Sequence, residues 1–156
     1  SSTGGFTDVL LQNGAEKIYA VDVGYGQLHE KLLNNSKVIS MERKNARYLN
    51  AKDITQLIDI LVCDASFISL KKILPEPIKL CAKNAKLIAL IKPQFEVGKK
   101  NISRGGIVKD EELRKKCCEE IRLWFENIMK WNVNSIIESP IRGPKGNVEY
   151  LIYANK

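Results

Sequence analysis

Residues 1–14 of the chain read SSTGGFTDVLLQNG, with two adjacent glycines directly before apolar residues at helical spacing. This spacing predicts a helix from Gly5 to Asn13, and Gly14 suits the left-handed position that follows a helix. In a doubly wound α/β fold, a glycine-rich turn before the first helix lets a ligand approach the backbone. The opening stretch therefore predicts a ligand-binding turn in a fold of this class.

The rest of the chain alternates short apolar runs with helical stretches, which predicts an α/β fold with a mainly parallel sheet over residues 1–156. The last two strands, which only a Gly/Pro loop separates, are expected to form an antiparallel hairpin. The runs at 57–65 and 86–93 are typical of buried strands, the first buried on both faces. Residues 94–109 are predicted to form a polar loop. The predicted strands cover residues 17–22, 37–42, 57–65, 86–93, 133–140 and 147–154. The later helices cover residues 29–35, 66–83, with a break near Pro75 and Pro77, and 110–131.

The helix predicted from Asp110 has the clearest pattern in the chain. Asp110 can cap its first turn, and acidic residues follow directly. Apolar side chains recur at helical spacing and predict a stripe that faces the core. The residues of this stripe are Leu113, Cys117, Ile121, Trp124 and Ile128.

Composition limits the class of protein. The chain of 156 residues has a formal charge of +7, which favours a polyanionic partner such as nucleic acid or an acidic membrane surface. No apolar run reaches the roughly 18 residues of a membrane span, so stable membrane insertion is not expected. Four cysteines without a C-x-x-C pair, and a single histidine, His29, disfavour a zinc site and indicate a reducing, cytoplasmic setting.

Asp22 ends the strand that follows the first helix, at the place where an acidic residue takes ribose hydroxyls. Together with the glycine-rich turn, it predicts a nucleotide-type cofactor. Nicotinamide dinucleotides and S-adenosylmethionine (SAM) both fit this pairing. The full G-x-G-x-x-G pattern is not present, because Gly4 and Gly5 are adjacent.

Five segments taken together resemble the TlyA family of FtsJ-like RNA 2′-O-methyltransferases, which are often named hemolysins. The resemblance implies a Rossmann-like methyltransferase fold that uses SAM as cofactor and methylates a ribose 2′-hydroxyl of ribosomal RNA, with the RNA or a ribosomal subunit as partner. The segments are SSTGGFTDVLLQNGAEKIYAVDVGYGQL (1–28), VCDASFISLKKILP (62–75), LIALIKPQFEVGKKN (87–101), GGIVKD (105–110) and SPIRGPKGNVEYLIY (139–153).

FtsJ-like enzymes carry a Lys-Asp-Lys-Glu catalytic set, and the resemblance assigns its last three members to Asp64, Lys92 and Glu149. The first Lys, the first central strand and a small RNA-binding domain are expected upstream, so the chain is predicted to be an N-terminally truncated methyltransferase domain. Asn45 stands where the FtsJ branch has an acid near the adenine. The residues assigned to the cofactor are Ser2, Thr3, Gly4, Gly5, Phe6, Asp22, Asn45 and Asp64.

The chemistry of methyl transfer is compatible with these residue types. A ribose hydroxyl is a weak acid, and a Lys92 made neutral by desolvation at a strand end could accept its proton. Asp64 and Glu149 would then orient Lys92 and the ribose. Basic residues in and beside two Gly-containing loops could form a rim for RNA phosphates. They are Lys99, Lys100, Arg104, Lys109, Arg142 and Lys145.

Four other functions remain open on the sequence. An N-methyltransferase of the same fold would have no evident use for Lys92, and DASF lacks the prolines of its usual motif. A nicotinamide dehydrogenase rests only on the turn and Asp22, and a titration with SAM and NAD distinguishes it. A membrane-lysing protein would cause liposome leakage without SAM. An RNA-binding module would keep RNA affinity without methyl transfer.

Overall fold

Two groups of strands organise the chain, one in residues 1–56 and the other in residues 57–156. The computed structural model describes residues 1–156 apart from the side chain of Lys99. Among the described residues, no helix is both long and apolar enough to cross a bilayer. The first unit contains α1 (Gly5–Gln12), β1 (Ile18–Val21), α2 (Glu30–Leu33) and β2 (Val38–Met41).

In the first unit, β1 and β2 form a parallel pair with Ile18 opposite Val38. Gly4 caps α1 with a φ of 104°, and a Cβ at this position would overlap the side chains of Leu28 and Leu32. Glycine is therefore required at this turn for both its backbone conformation and its size. His29 is exposed and caps α2, its Nδ1 accepting a hydrogen bond from the backbone of Lys31 at 3.1 Å.

Asp22 follows β1 and ties the opening turn to this strand. Its carboxylate accepts hydrogen bonds from the backbone N–H groups of Ser2 (2.6 Å) and Gly24 (2.7 Å) and from the Ser1 nitrogen (3.0 Å). Partial burial raises the pKa of Asp22, but these hydrogen bonds outweigh burial and lower the pKa below its ordinary value. The ionised carboxylate of Asp22 therefore holds the opening turn in place.

The second unit contains a four-stranded sheet in the order β3-β4-β6-β5. Strands β3 and β4 are parallel, whereas β6 runs antiparallel to both β4 and β5, so the predicted C-terminal hairpin is confirmed. The elements are β3 (Ile58–Cys63), α3 (Leu70–Ile73), α4 (Pro75–Lys79), β4 (Cys81–Ile91), α5 (Pro93–Glu96), α6 (Glu111–Trp124), β5 (Asn132–Glu138) and β6 (Tyr150–Asn155).

One face of this sheet forms the core with the helices. Every second residue of β4 from Ala85 to Ile91 is fully buried, and Ile152 packs beside them. The helices contribute Leu70, Ile121 and other apolar side chains to the same cluster. Asp110 caps α6 as predicted, its side chain accepting a hydrogen bond from the backbone of Leu113.

The structure corrects four of the sequence predictions. No residue of β3 is fully buried, because β3 is the edge strand of its sheet, so burial on both faces was wrong. The helical prediction for 66–83 was too long at both ends, since only α3 and α4 form and β4 already begins at Cys81. The loop predicted from Gln94 begins later, because Pro93 starts the single turn of α5.

The fourth correction concerns the end of α6. The helix widens into a π turn over Phe125–Met129. Phe125, four residues after Ile121, is fully buried, and after the wider turn Met129 packs against the core in place of Ile128, which is 67 % exposed. The predicted stripe is therefore right for Cys117 and Ile121 and wrong for Ile128.

Truncating Phe125 should test this shift directly. We expect Phe125→Ala to lower the free energy of unfolding by about 3–5 kcal/mol, because it empties a buried site. Ile128→Ala should change the free energy of unfolding by less than about 0.5 kcal/mol. Urea denaturation followed by circular dichroism measures both. Equal losses in the two variants would contradict the π turn.

The lowered pKa of Asp22 predicts a specific loss of stability in acid. The unfolded chain has the ordinary pKa of 3.8, so the stabilisation is complete above about pH 4 and disappears as the pH falls towards 2. Asp22→Asn should remove this part of the pH dependence. The test is the unfolding midpoint measured between pH 2 and 5. The exposed Asp59 provides the control, and Asp59→Asn should leave the dependence unchanged.

Candidate active site

The three predicted catalytic residues lie at one edge of the sheet in the second unit. Asp64 directly follows β3 and Lys92 directly follows β4, and these two strands are parallel. Glu149 precedes β6 rather than lying within it, and the next residue, Tyr150, pairs with Ile91 at the end of β4. Because β6 runs antiparallel to β4, the start of β6 lies beside the end of β4. Glu149, which precedes β6, therefore lies at the same edge as Asp64 and Lys92, which follow their strands.

Lys92 and Asp64 form an ion pair, with 2.6 Å between Lys92 Nζ and Asp64 Oδ1. Lys92 is only 7 % exposed, whereas the side chain of Asp64 is 47 % exposed. The Lys92 ammonium also donates to the hydroxyl of Ser66 at 3.1 Å. These two partners offset the unfavourable free energy of burying the Lys92 ammonium. They fix Nζ at the edge of the sheet, with one partner open to solvent.

Glu149 is buried and pairs with Gln94 instead of Lys92. Gln94 Nε2 donates to Glu149 Oε1 at 2.7 Å, and both residues are less than 9 % exposed. Of the three predicted residues, the structure brings Asp64 and Lys92 into contact and leaves Glu149 in a separate hydrogen-bonded pair. Sequence reasoning missed Gln94 because it placed the residue in a loop. The signal was Pro93, which can start a helical turn immediately after a strand.

Two segments beside Lys92 are tied together. The carboxylate of Glu96, at the end of α5, accepts hydrogen bonds from the Ser69 hydroxyl (2.6 Å) and the Leu70 backbone (2.7 Å) at the start of α3. The rings of Phe67 and Phe95 also contact each other, with 5.0 Å between the ring centroids. The loop that carries Asp64 and Ser66 is therefore held to the turn that follows Lys92.

The cofactor residues predicted near the opening turn lie in the first unit. No side chain caps the start of α1, and a Cβ on Gly5 would meet no atom within 4 Å, so the backbone N–H groups there have space for a ligand. The carboxylate of Asp22 is adjacent through Ser2 and retains accepting capacity, since each of its oxygens can accept more than one hydrogen bond. These residues fit the nucleoside part of SAM.

The other predicted cofactor residues have local roles. The carbonyl of Thr3 accepts a hydrogen bond from the His29 backbone at 3.1 Å, and Phe6 is half-buried in the first turn of α1. The Asn45 side chain accepts a hydrogen bond from the Arg47 backbone at 3.0 Å and starts the 3-10 turn Ala46–Tyr48. Its amide nitrogen is the group that a ligand would contact.

The basic loops are joined by one buried side chain. Asn147 Nδ2 donates to the carbonyl of Gly106 at 2.9 Å, and Asn147 Oδ1 accepts from the Val108 backbone at 3.1 Å. This places the segment with Arg104 and Lys109 beside the segment with Arg142 and Lys145. Lys100, Arg104, Lys109 and Lys145 are exposed, as is Arg142, which pairs with Glu138 at 3.0 Å, and the side chain of Lys99 lies outside the described residues.

Comparisons with known proteins identify the family of this chain. The family model for FtsJ-like methyltransferases matches residues 1–156. A 16S/23S rRNA (cytidine-2′-O)-methyltransferase, TlyA, from Mycobacterium tuberculosis is 42 % identical over 153 residues, which cover 98 % of this chain and 57 % of that protein. A Hemolysin A from Brachyspira hyodysenteriae is 44 % identical over 154 residues, 98 % of this chain and 64 % of that protein. The chain thus spans less than two thirds of the length of these relatives.

Solved structures agree on the fold. A Streptococcus thermophilus protein provisionally named a hemolysin superimposes with a TM-score of 0.94 at 44 % identity, covering 99 % of this chain and 56 % of that one. The TlyA resemblance and the predicted Rossmann-like α/β fold are confirmed. The chain belongs to the family of FtsJ-like methyltransferases.

Proposed function

We propose that this chain provides the catalytic domain for SAM-dependent methyl transfer to a ribose 2′-hydroxyl of ribosomal RNA, free or within a ribosomal subunit. The main support is the ion pair between the buried Lys92 and the half-exposed Asp64 at the edge of the sheet. A base-modifying or hydride-transferring site has no evident need for a buried lysine in this position. The relative from Mycobacterium tuberculosis carries the name of a ribose-methylating enzyme.

Lys92 is the group that receives the hydroxyl proton in this proposal. Its ammonium is held by Asp64 Oδ1 and Ser66 Oγ, and Asp64 is half-exposed. In its neutral form, the Lys92 amine takes the proton of the ribose hydroxyl as a general base while the hydroxyl oxygen accepts the methyl group. Glu149 helps to orient the ribose.

When bound, SAM supplies a methyl group that its sulfonium has already activated. The protein then contributes mainly position and proton acceptance, and positioning alone can account for much of the rate. In this proposal the nucleoside part is held by the turn at Gly4, Gly5 and Phe6 with Ser2 and Thr3, together with Asp22 and Asn45.

The first experiment measures cofactor binding and methyl transfer in the complete translated protein that contains residues 1–156. We expect calorimetry to show binding of SAM and not of NAD. Transfer of labelled methyl groups from SAM to purified ribosomal RNA and subunits should protect one phosphodiester from alkali, since a methylated 2′-oxygen cannot attack its phosphate. Binding of NAD alone, or methylation of a base, would contradict the proposal.

Replacing Lys92 tests its role in the reaction. Lys92→Ala should lower the methyl-transfer rate by about 10²- to 10⁴-fold, the range for loss of a general base, with SAM affinity unchanged. Lys79 provides the matched control, because it also forms an ion pair with a carboxylate, that of Glu76, but both side chains are well exposed to solvent. Lys79→Ala should keep the full rate. Equal rates in the two variants would exclude Lys92 as the base.

The basic loops are proposed to contact RNA phosphates. Lys145→Gln should weaken RNA binding for all sequences and reduce the slope of log affinity against log salt by roughly 1. The matched control is Lys130→Gln, because Lys130 is also exposed and its backbone also has a left-handed conformation. The φ angle is 58° at Lys130 and 59° at Lys145. Filter binding over a range of salt concentrations measures both slopes. The same slope in both variants would show that Lys145 does not contact RNA phosphates.

A further inference from the structure

The buried side-chain carbonyl of Gln94 has no hydrogen-bond donor within the described part of the chain. The side chain is only 7 % exposed, and its Nε2 donates to Glu149 Oε1 at 2.7 Å. Because a carboxylate only accepts, this contact fixes the orientation of the amide and turns the carbonyl away from Glu149. Gln94 Oε1 is buried and has no partner among the described residues.

An unpaired acceptor of this kind is informative because of its location. Folded proteins pair the large majority of their buried polar groups, since an unmade hydrogen bond is unfavourable. Gln94 follows Lys92 by two residues in α5 and contacts a second candidate catalytic residue, Glu149. Because Oε1 has almost no solvent-accessible surface, a donor that arrives with the substrate can reach it only when a neighbouring side chain or loop moves.

Glu149 is also confined from its other side. A Cβ on Gly143 would overlap the Glu149 carboxylate, so the Gly143 backbone packs directly against it. The backbone carbonyl of Glu149 accepts a hydrogen bond from the Ser139 N–H at 2.9 Å. The carboxylate is therefore held between Gly143 and the amide of Gln94, and Gln94 is the partner that fixes it by a hydrogen bond.

We propose that Gln94 is a positioning residue for methyl transfer: its amide group fixes the carboxylate of Glu149, and its free carbonyl accepts a hydrogen bond from a hydroxyl of the target ribose. The inference rests on the proposed function. A glutamine suits this task because one uncharged side chain donates to the carboxylate and accepts from the sugar at the same time. Neither a carboxylate nor an aliphatic side chain can do both at neutral pH.

Gln94→Met tests the hydrogen bonds, because methionine is unbranched and of similar length but forms neither bond. In the complete translated protein, we expect a 10- to 100-fold lower single-turnover methyl-transfer rate on ribosomal RNA, roughly the loss of one charge-assisted hydrogen bond. The affinity for SAM should not change. Gln12 provides the matched control, since its amide donates to the Asp8 carboxylate at 2.7 Å on the surface of α1. Gln12→Met should keep the full rate.

Gln94→Glu gives a readout that a purely structural role would not produce. When protonated, the introduced carboxyl can donate to Glu149 as the amide did. When ionised, it repels Glu149, and two carboxylates that share a site raise the pKa of one of them. The rate of this variant, relative to the unaltered protein, should therefore fall as the pH rises, by up to tenfold per pH unit. The relative rate of Gln94→Met should not depend on pH.

Each outcome bears on one of the two proposals. Thermal melting and SAM binding show whether each variant is folded. A Gln94→Met rate within twofold of the unaltered rate, or a relative rate of Gln94→Glu that does not depend on pH, would overturn the positioning role alone. An unaltered protein that binds SAM but methylates no RNA would overturn the proposed function, and the positioning role with it.

Discussion

The ion pair between Lys92 and Asp64 is the interaction on which the candidate site depends. A buried lysine ammonium is weak support for stability, because removing its charge from water costs about as much as the attraction to its partner returns. The second unit already has an apolar core behind the sheet. Lys92 is therefore better explained by reactivity than by folding. Its ammonium is fixed by two oxygen atoms, and the half-exposed Asp64 connects it to water.

The surrounding structure keeps this edge of the sheet in place. Glu96 holds the segment after β3 to the turn after β4, and Asn147 holds together the two basic loops. Both are single polar side chains that join segments far apart in sequence. Neither belongs to the catalytic set that the family resemblance supplied. The structure thus shows that Glu96 and Asn147, two residues outside the predicted catalytic set, hold the loops around the candidate site together.

The sequence predicted the alternation of strands and helices, the hairpin and the edge that carries Asp64 and Lys92, because these depend on local patterns and on strand direction. The predicted burial of β3 on both faces was wrong, since an apolar run looks the same at the edge and in the middle of a sheet. The sequence misplaced Ile128, because a π turn leaves no mark on helical periodicity. It missed Gln94, whose role depends on Glu149, a residue 55 positions later in the chain.

Gly143 shows how a site can constrain a residue that performs no chemistry. Its φ of −72° is available to every amino acid, so its conformation alone gives no reason for glycine. Only the space taken by the Glu149 carboxylate requires it. In a library that samples all amino acids at each position, even alanine at this position would displace a buried acid while the core packing of the sheet stayed intact. Sensitivity to substitution there would therefore report the geometry of the site and not the strength of the fold.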